Sequence, residues 1–522
     1  MSKPAFEVFP YDGERLFELI AEGSHGKFPE DIRTKQQSGY FEKYLVEIGA
    51  RTIIVERNYI DRDFLEDYAA YYVRCFPPYQ KACLRLHFFS SEFTQQAFSK
   101  CISGDETQVS QDTLRKTYRG FVVIKPLPQT VFGRTCLATY PANGTREFPA
   151  ARSFSAHLFG IELEVDRTLP FQEQDSVVAA CATSALWTVF QATSRHYLHQ
   201  VLSPVEITRA ATHLLPAETR VLPNRGLSTH MMAHAIRSVA LEPYLIRVRE
   251  RHLLQAAIYS YVHARMPLVL GVQLIDDLGG GNHKTIGMHA LTVIGYSLAG
   301  NSVPIGGAGL RLRATRMDKI YVHDDQVGPF ARMELDGITL PVNGAATETL
   351  STSWPSANKV GGRVRAAPDI LLVPLYHKIR ISWDWVLLAI SALDEFLKDL
   401  SKAIPTVKLE TLEWDVYLSN VNDVKKELLR HEAMNGSQKL AATTRSMPRF
   451  LWRATALREN IPVFDVLYDA TDIDTGDALI QCLVFDDLVR GILVEIAKDA
   501  AFKKTVFPKG VKQAIQWVHD AQ

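Results

Sequence analysis

Apolar residues along this chain occur either in short β-branched runs, which are typical of strands, or at helical spacing. The order of these two patterns differs between regions of the chain. Short runs rich in apolar and β-branched residues, at 51–55 and 120–125, predict strands. Between them, apolar residues at helical spacing over 63–73 predict a helix. Together these signals predict a mixed α/β accessory domain over residues 1–164.

The middle third of the chain has helix signals first and strand signals second. Ser203-Pro204-Val205-Glu206 combines a capping serine, a proline at the first helical position and a glutamate three residues after the cap, which marks a helix start. The Gly-, Ser- and Pro-rich stretch 297–309 predicts an inserted loop. Helices followed by antiparallel strands are typical of an α+β domain, which we place at 165–340. The predicted helices are 183–201, the segments capped by Ser203 and Ser228, and 253–264, and the predicted strands are 267–274, 289–296 and 319–323.

The remainder of the chain begins with a segment of different composition. Residues 344–368 are rich in Thr, Ser, Asn and Gly and predict a linker. Beyond it we expect a C-terminal α/β accessory domain, within 341–522, with a supporting or targeting role. Its predicted helices are 383–400, 421–431 and 488–500, and its predicted strands are 463–468 and 479–485.

Charge and cysteine content change the list of possible functions. Lys plus Arg number 58, as do Asp plus Glu, so no net charge attracts the chain to nucleic acid or acidic membranes. The most apolar stretch, 266–275, is too short to span a bilayer, and the first residues lack the pattern of a secretory signal. Six cysteines without a CxxC pair are too few for a disulfide scaffold. We therefore expect a cytoplasmic protein with free thiols and no membrane span.

One of these thiols stands where a nucleophile would. Cys181 follows Gln172-Glu-Gln-Asp-Ser-Val-Val-Ala-Ala180 and comes at the start of a predicted helix. Free N–H groups and a partial positive charge at a helix N-terminus stabilise a thiolate, which is the reactive form of cysteine. Gln174, seven residues upstream, carries an amide that could hold a developing oxyanion together with the Cys181 N–H.

The candidate base is His289. It opens the apolar strand 289–296 and would project toward the helical layer packed at the strand's end. The next strand, 319–323, leads into Asp324 and Asp325. A carboxylate there can accept a hydrogen bond from the second ring nitrogen of His289 and so fix its tautomer. We take Asp324 as the orienting residue, with Asp325 as the alternative.

These motifs, QEQD…ACATSALW, GMHALTVIGY and IYVHDDQVGPF, resemble those of the papain-like cysteine peptidase superfamily. The closer likeness is to its compact bacterial members, such as the peptidase domains of bacteriocin-processing transporters. The resemblance covers roughly residues 165–335 and implies a helical layer packed on an antiparallel sheet, with the active site in the cleft between them. It implies Gln174 as oxyanion donor, Cys181 as nucleophile, His289 as base and Asp324 as orienting residue, with Trp187 as the aromatic of the nucleophile helix. The sequence departs from the family in the Ala179-Ala180 pair before the nucleophile and in the spacing of Gln174.

A metal site is the main competing interpretation of the histidines. His230 and His234 share a face of a predicted helix, as do His196 and His199. A zinc peptidase motif needs a glutamate beside the first histidine, and Met231 stands there instead. We therefore expect neither a metal nor a cofactor.

The sequence thus predicts a thiol hydrolase, a cysteine peptidase that acts on a protein or peptide through an acyl-enzyme. A protease effector in bacterial defence or signalling would fit the large accessory regions, which could also bind partner proteins. Two alternatives remain open at this point. One is another Cys-His-Asp acyl-transfer enzyme, such as a transglutaminase-like enzyme, a deamidase or an acyltransferase. The other is a non-catalytic scaffold with a vestigial triad.

Overall fold

The computed structural model of the chain describes residues 3–215, 220–307, 309–358, 362–432, 434–473, 478–499, 502, 504–505 and 507–520. The fold is mixed α+β, with 35% of residues in helices and 32% in strands. Within the described ranges, no helix combines the length and the apolar character needed to cross a membrane.

The helices are numbered in chain order. Short 3₁₀ segments occur at Tyr72–Arg74, Arg313–Arg316 and Pro405–Val407. The α-helices are α1 (Gly13–Gly23), α2 (Pro29–Thr34), α3 (Gln36–Glu47), α4 (Arg62–Ala70), α5 (Gln95–Ile102), α6 (Gln111–Thr117), α7 (Cys181–Tyr197), α8 (Pro204–Thr212), α9 (Thr229–Ser238), α10 (Arg251–Val262), α11 (Trp383–Ala403), α12 (Val421–Arg430), α13 (Gly436–Thr444), α14 (Asp487–Lys498) and α15 (Lys509–Asp520).

The strands are numbered in the same way. They are β1 (Phe6–Pro10), β2 (Thr52–Tyr59), β3 (Cys83–Phe89), β4 (Tyr118–Ile124), β5 (Phe132–Leu137), β6 (Arg146–Glu147), β7 (Arg152–Leu158), β8 (Ile161–Thr168), β9 (Leu241–Arg247), β10 (Leu268–Gly279), β11 (Asn282–Ser297), β12 (Pro304–Ile305), β13 (Leu310–Leu312), β14 (Lys319–Asp324), β15 (Gly328–Glu334), β16 (Thr339–Val342), β17 (Ala345–Glu348), β18 (Leu350–Ser351), β19 (Arg363–Tyr376), β20 (Glu413–Asn420), β21 (Phe450–Arg458), β22 (Ile461–Asp469) and β23 (Leu479–Val484).

The chain folds as two compact units that are discontinuous in sequence. The first comprises Met1–Arg249, Arg265–Tyr296 and Lys319–Pro374, and the second comprises Glu250–Ala264, Ser297–Asp318 and Leu375–Gln522. The three regions predicted from the sequence follow other boundaries, because regions 1–164 and 165–340 both contribute to the first unit. That three-region division stays a prediction.

The N-terminal part of the first unit is built on a five-stranded antiparallel sheet. Its strands run in the order β1-β2-β3-β4-β5, as expected from the apolar runs that form β2 and β4. Both faces of the sheet are covered, because alternate residues of each strand enter two different apolar clusters. On β2, for example, Ile53 and Val55 belong to one cluster and Ile54 to the other.

The larger sheet of the first unit closes on itself. Its strands follow the order β10-β11-β14-β15-β18-β19-β9, and β19 also pairs with β10, which completes a ring. Helix α7 packs on this sheet through an apolar cluster that joins Leu186 and Phe190 to Val269, Ala290 and Leu372. The mixed α+β character of this unit agrees with the order of the sequence signals.

The second unit contains a smaller sheet flanked by helices. Its strand order is β12-β13-β20-β21-β22-β23, in which β13 and β20 run parallel and the other neighbours antiparallel. Strands β20 and β21 carry no clear signal in the sequence and were not predicted. Trp414 of β20 and Trp452 of β21 are fully buried, so both strands are central to this unit.

Three sequence predictions about secondary structure were wrong. His289 does not open its strand, because β11 already begins at Asn282 with exposed polar residues that show no apolar run. The 297–309 stretch is not all loop: it contains the short strand β12, which pairs with β13, and its residue 308 is outside the described ranges. The 344–368 segment is not a linker, since it contains β17, β18 and the start of β19, with residues 359–361 outside the described ranges.

Candidate active site

The loop that leads to Cys181 is held by a carboxylate. Asp175 accepts hydrogen bonds from the backbone N–H groups of Val177 and Val178 at 2.7 and 2.9 Å, and from the Tyr72 hydroxyl at 2.7 Å. The Asp175 N–H in turn donates to the Ala179 carbonyl at 2.8 Å. These bonds form a tight turn immediately before the nucleophile position, so the start of α7 has a fixed direction.

Cys181 is the first residue of α7, as the sequence predicted. The hydroxyl of Thr183 accepts from the Ala180 N–H at 3.3 Å and lies 3.2 Å from the Thr208 hydroxyl, which ties the helix start to α8. The Cys181 side chain is half-buried and therefore remains accessible. Its backbone N–H belongs to the first turn, where N–H groups have no partner within the helix. A thiolate at this position experiences the positive end of the helix dipole.

His289 lies on β11 at the point where the strand passes from exposed to buried residues. Its imidazole is buried, and interaction with the side chain of Cys181 is one of the effects that raise its pKa. Three residues further on, the Thr292 hydroxyl donates to the Ala185 carbonyl of α7 at 3.0 Å. Strand β11 and helix α7 are thus bonded to each other close to His289 and one turn beyond Cys181.

The other side of the imidazole contacts Asp324, at the end of β14. His289 Nε2 lies 3.0 Å from Asp324 Oδ1, so Nδ1 is the ring nitrogen left for the thiol. The carboxylate is fully buried and accepts two more bonds, from the Gln326 N–H at 2.9 Å and from Trp354 Nε1 at 2.8 Å. Both oxygens of Asp324 are therefore fixed by donors, and the group can orient the ring of His289.

Trp354 is a site residue that sequence reasoning missed. It lies between β18 and β19, in the stretch interpreted as a linker, and it is buried. Its ring also meets the His289 ring edge to face, with centroids 6.3 Å apart and planes at 80°. A single tryptophan in a run of Ser, Thr, Asn and Pro was the available signal, since such a large ring needs a site in which to be buried.

Asp325 is the second carboxylate at this histidine. Its Oδ1 lies 3.6 Å from His289 Nε2, further than Asp324, and its Oδ2 is buried without a hydrogen-bond partner among the residues described. Burial raises the pKa of Asp325 to about 7, and the charges of Asp324 and Glu173 add to this effect against the opposing charge of His289. The shorter distance and the three donors favour Asp324 as the orienting group.

The charge state of His289 follows from these neighbours. Burial alone would lower the pKa of the imidazole, but the Asp324 and Asp325 carboxylates and the hydrogen bonds with Asp324 and Cys181 outweigh burial. The pKa of His289 therefore stands well above its usual value. A raised pKa favours the imidazolium form, and a positive charge on this ring would stabilise a thiolate at Cys181.

His323 precedes these carboxylates in sequence but has a structural role. Its Nε2 donates to the Leu169 carbonyl at 2.9 Å, and its Nδ1 accepts from the Phe330 N–H at 3.0 Å. Burial lowers the pKa of His323 to about 4, so the ring is neutral and uses one nitrogen as donor and the other as acceptor. These bonds fix the turn between β14 and β15 that carries Asp324 and Asp325.

Two glutamines before Cys181 are candidates for the oxyanion donor. Gln174 lies in the extended segment before the Asp175 turn and is half-buried, and its role as oxyanion donor stays a prediction. Gln172, two residues earlier, is buried, and its Nε2 has no hydrogen-bond partner within the described ranges. Both amides precede the nucleophile, and the sequence alone offered no reason to consider the second.

Trp187 and the remaining cysteines are parts of the core. The Trp187 indole donates to Asp63 Oδ2 at 2.8 Å and lies under the Arg134 guanidinium, 5.5 Å from the ring centroid. The other five thiols are also free, but four of them are buried and Cys75 is half-buried. Burial raises the pKa of Cys136 and Cys482 to about 12 each. These two thiols are inert at neutral pH.

The histidine pairs considered as metal ligands do not meet in a cluster with acids. His199 is instead engaged by the Thr193 hydroxyl at 2.8 Å and by the Gln200 carbonyl at 2.7 Å. Over the described part of the chain, the group that could hold a cation is His289, Asp324 and Asp325, whose ligand atoms lie within 4.8 Å of one another. Because Asp324 already accepts three hydrogen bonds, the geometry favours orientation of His289 over metal binding.

Comparison with known proteins gives no assignment. No protein-family model matches the chain, and no curated protein matches it either.

Proposed function

We propose that this protein is a papain-like cysteine peptidase, with Cys181 as nucleophile, His289 as base and Asp324 as orienting residue. The observation that carries the proposal is a single constellation. A thiol at a helix N-terminus interacts with a buried imidazole, and a buried carboxylate that accepts from three donors bonds to that ring. Such an arrangement serves nucleophilic acyl transfer, because it supplies a thiolate and a proton donor in one unit.

In the proposed reaction, the Cys181 thiolate attacks a peptide carbonyl carbon and forms a tetrahedral oxyanion. The Cys181 N–H and the Gln174 amide donate hydrogen bonds to that oxygen. The His289 imidazolium gives its proton to the departing amine as the C–N bond breaks, which leaves a thioester on Cys181. The now neutral His289 takes a proton from water, whose hydroxide attacks the thioester and releases the acid product and the Cys181 thiolate, so that the thiolate and the imidazolium are restored. Asp324 holds the ring in place throughout.

The same triad could pass the acyl group to another acceptor. A transglutaminase-like enzyme, a deamidase or an acyltransferase would use the same Cys181 thioester, and a scaffold with a vestigial triad would form none. The accessible Cys181 thiol and the charged His289 favour an active enzyme over a scaffold. Peptidase activity is preferred to the other transfers on the sequence resemblance.

Mass spectrometry of a peptide mixture incubated with the protein tests the proposal. Hydrolysis gives two fragments whose masses sum to that of the substrate plus water, whereas deamidation and transfer change the mass without cleavage. We expect cleavage that is lost in Cys181→Ala and persists in EDTA. Cleavage by Cys181→Ala, or loss in EDTA with recovery on added zinc, would contradict the thiol mechanism.

A further inference from the structure

The start of helix α3 contacts the part of the candidate site that carries the acids. The amide of Gln37 donates to the backbone carbonyl of Asp325 at 3.0 Å and to Glu173 Oε1 at 3.2 Å. Lys35, the residue before the helix, also forms an ion pair with Glu173, and that carboxylate is buried. One side-chain amide therefore bridges the segment before the nucleophile and the turn that bears both candidate acids.

Gln36, the neighbouring residue, contacts the segment that carries Trp354. The Gln36 amide donates to the backbone carbonyl of Ser353, next to Trp354. Trp354 in turn donates to Asp324 Oδ2 at 2.8 Å. Two successive glutamines of one helix turn thus hold the two segments that fix the orienting carboxylate.

One turn further along α3, Tyr40 contacts the residues that follow Asp324 and Asp325. Its hydroxyl donates to the Pro329 carbonyl at 2.6 Å, and its ring packs against Gly328. Gly328 has a φ of 149°, and a Cβ built there would lie 2.4 Å from Tyr40 Cδ1. The close approach of helix and turn therefore requires glycine at this position.

We propose that Lys35, Gln36, Gln37 and Tyr40, which we call the α3 clamp, position Asp324 against His289 and so set the reactivity of Cys181. The N-terminal region then contributes residues that position the candidate catalytic groups. The inference rests on the proposed function, because it concerns the same thiol. The effect is indirect: the clamp fixes the backbone carbonyls of Asp325 and Pro329, which follow Asp324, and of Ser353, which precedes Trp354. These contacts set the position of the Asp324 carboxylate against His289.

The test is the rate of Cys181 alkylation by iodoacetamide, followed by intact mass at pH 6 and at pH 9. At pH 6 the thiolate depends on the His289 imidazolium, whereas at pH 9 the thiol ionises without help. Substitution of both glutamines by methionine, Gln36→Met with Gln37→Met, removes the amides and keeps the side-chain length and charge. We expect the pH 6 rate to fall roughly 3- to 10-fold, because the thiolate loses part of its stabilisation by His289, and the pH 9 rate to stay unchanged.

Gln95→Met is the matched control, since the Gln95 side chain also bonds to backbone, the Val8 N–H of β1, in the N-terminal sheet. It should leave both rates at the wild-type value. If the double variant loses its cooperative thermal transition, the single variants Gln36→Met and Gln37→Met replace it, and each should lower the pH 6 rate. A folded double variant with the wild-type ratio of the two rates would overturn the clamp and leave the proposed function intact. A wild-type protein whose Cys181 is not labelled ahead of the other thiols at pH 6 would overturn the proposed function itself.

Discussion

His289 and His87 are both buried and both lie beside a carboxylate, but their pKa values are shifted in opposite directions. His87, on β3 of the N-terminal sheet, lies 3.2 Å from Glu56 and 2.8 Å from the Tyr118 hydroxyl. Burial lowers the pKa of His87 to about 4, and the charge of Arg85 adds to that effect against the opposing interaction with Glu56. Burial acts on His289 in the same direction, yet the pKa of His289 is raised.

The difference lies in the charges around each ring. Arg85 donates to Glu56 at 2.6 Å, so the carboxylate next to His87 is already paired. His289 instead has two carboxylates, Asp324 and Asp325, and the neutral donors on Asp324 leave its charge uncompensated. When a second cation already pairs with the neighbouring carboxylate, as at His87, the pKa of the buried histidine falls. When the carboxylate has no other cation, as at His289, the pKa rises. The position of a histidine in the sequence does not reveal this.

The largest effect should come from removing each ring in turn. We expect His289→Gln to lower the pH 6 alkylation rate of Cys181 about tenfold or more, because the cation that stabilises the thiolate is lost. His87→Gln is the matched change, and it should leave the rate unchanged while it lowers the Tm, since Glu56 and Tyr118 lose their buried partner. Intact-mass kinetics and thermal unfolding of the two variants measure this. An equal loss of labelling in both would mean that His289 acts only through stability.

A smaller effect should separate the two acids at His289. Asp324→Asn should lower the pH 6 rate roughly 3- to 10-fold, since the shorter contact and its charge are lost. Asp325→Asn should lower it less than about threefold, because its contact with His289 is longer at 3.6 Å. The same alkylation kinetics measure both. A silent Asp324→Asn beside a damaging Asp325→Asn would make Asp325 the orienting residue.

The smallest effect concerns stability against pH. The pKa of Asp325 is raised from 3.8 to about 7, so between these values the native state keeps a proton that the unfolded chain has lost. Stability from this group is therefore lost as pH rises through that window, by at most about 1.4 kcal/mol per pH unit. Asp325→Asn removes this loss, and its Tm relative to the wild type should rise by roughly 2 to 6 °C between pH 5 and pH 8. A Tm difference that does not change with pH would contradict the buried, protonated Asp325.

The sequence allowed much of this site to be predicted where local signals exist. The helix start at Cys181, the strand at 319–323 that leads into Asp324 and the Ser203 cap follow from residue types at fixed spacings, and the structure contains all three, with the strand one residue longer. The mixed α+β character of the fold also followed from the order of the signals. These features depend on neighbours in sequence, which is why a single sequence reveals them.

The features of the site and of the fold that the sequence did not predict depend on contacts between residues far apart in the chain. Trp354, Gln36 and Gln37 lie in stretches with no chemical motif, and their role appears only when the fold brings them to Asp324 and Asp325. Likewise β12 and β13 pair with a sheet formed mainly from residues after 410, which no local pattern near 297–318 indicates. Burial and pairing of this kind are tertiary properties, so propensity and spacing could not predict them.

The central claim is that Cys181 carries a thiolate held by the His289 imidazolium. The direct measurement is the ultraviolet absorbance of the thiolate at pH 7, taken as the difference between the wild type and Cys181→Ala. We predict a thiolate signal in the wild type that is lost in His289→Gln. No difference signal in the wild type, or a signal of equal size in His289→Gln, would contradict the account.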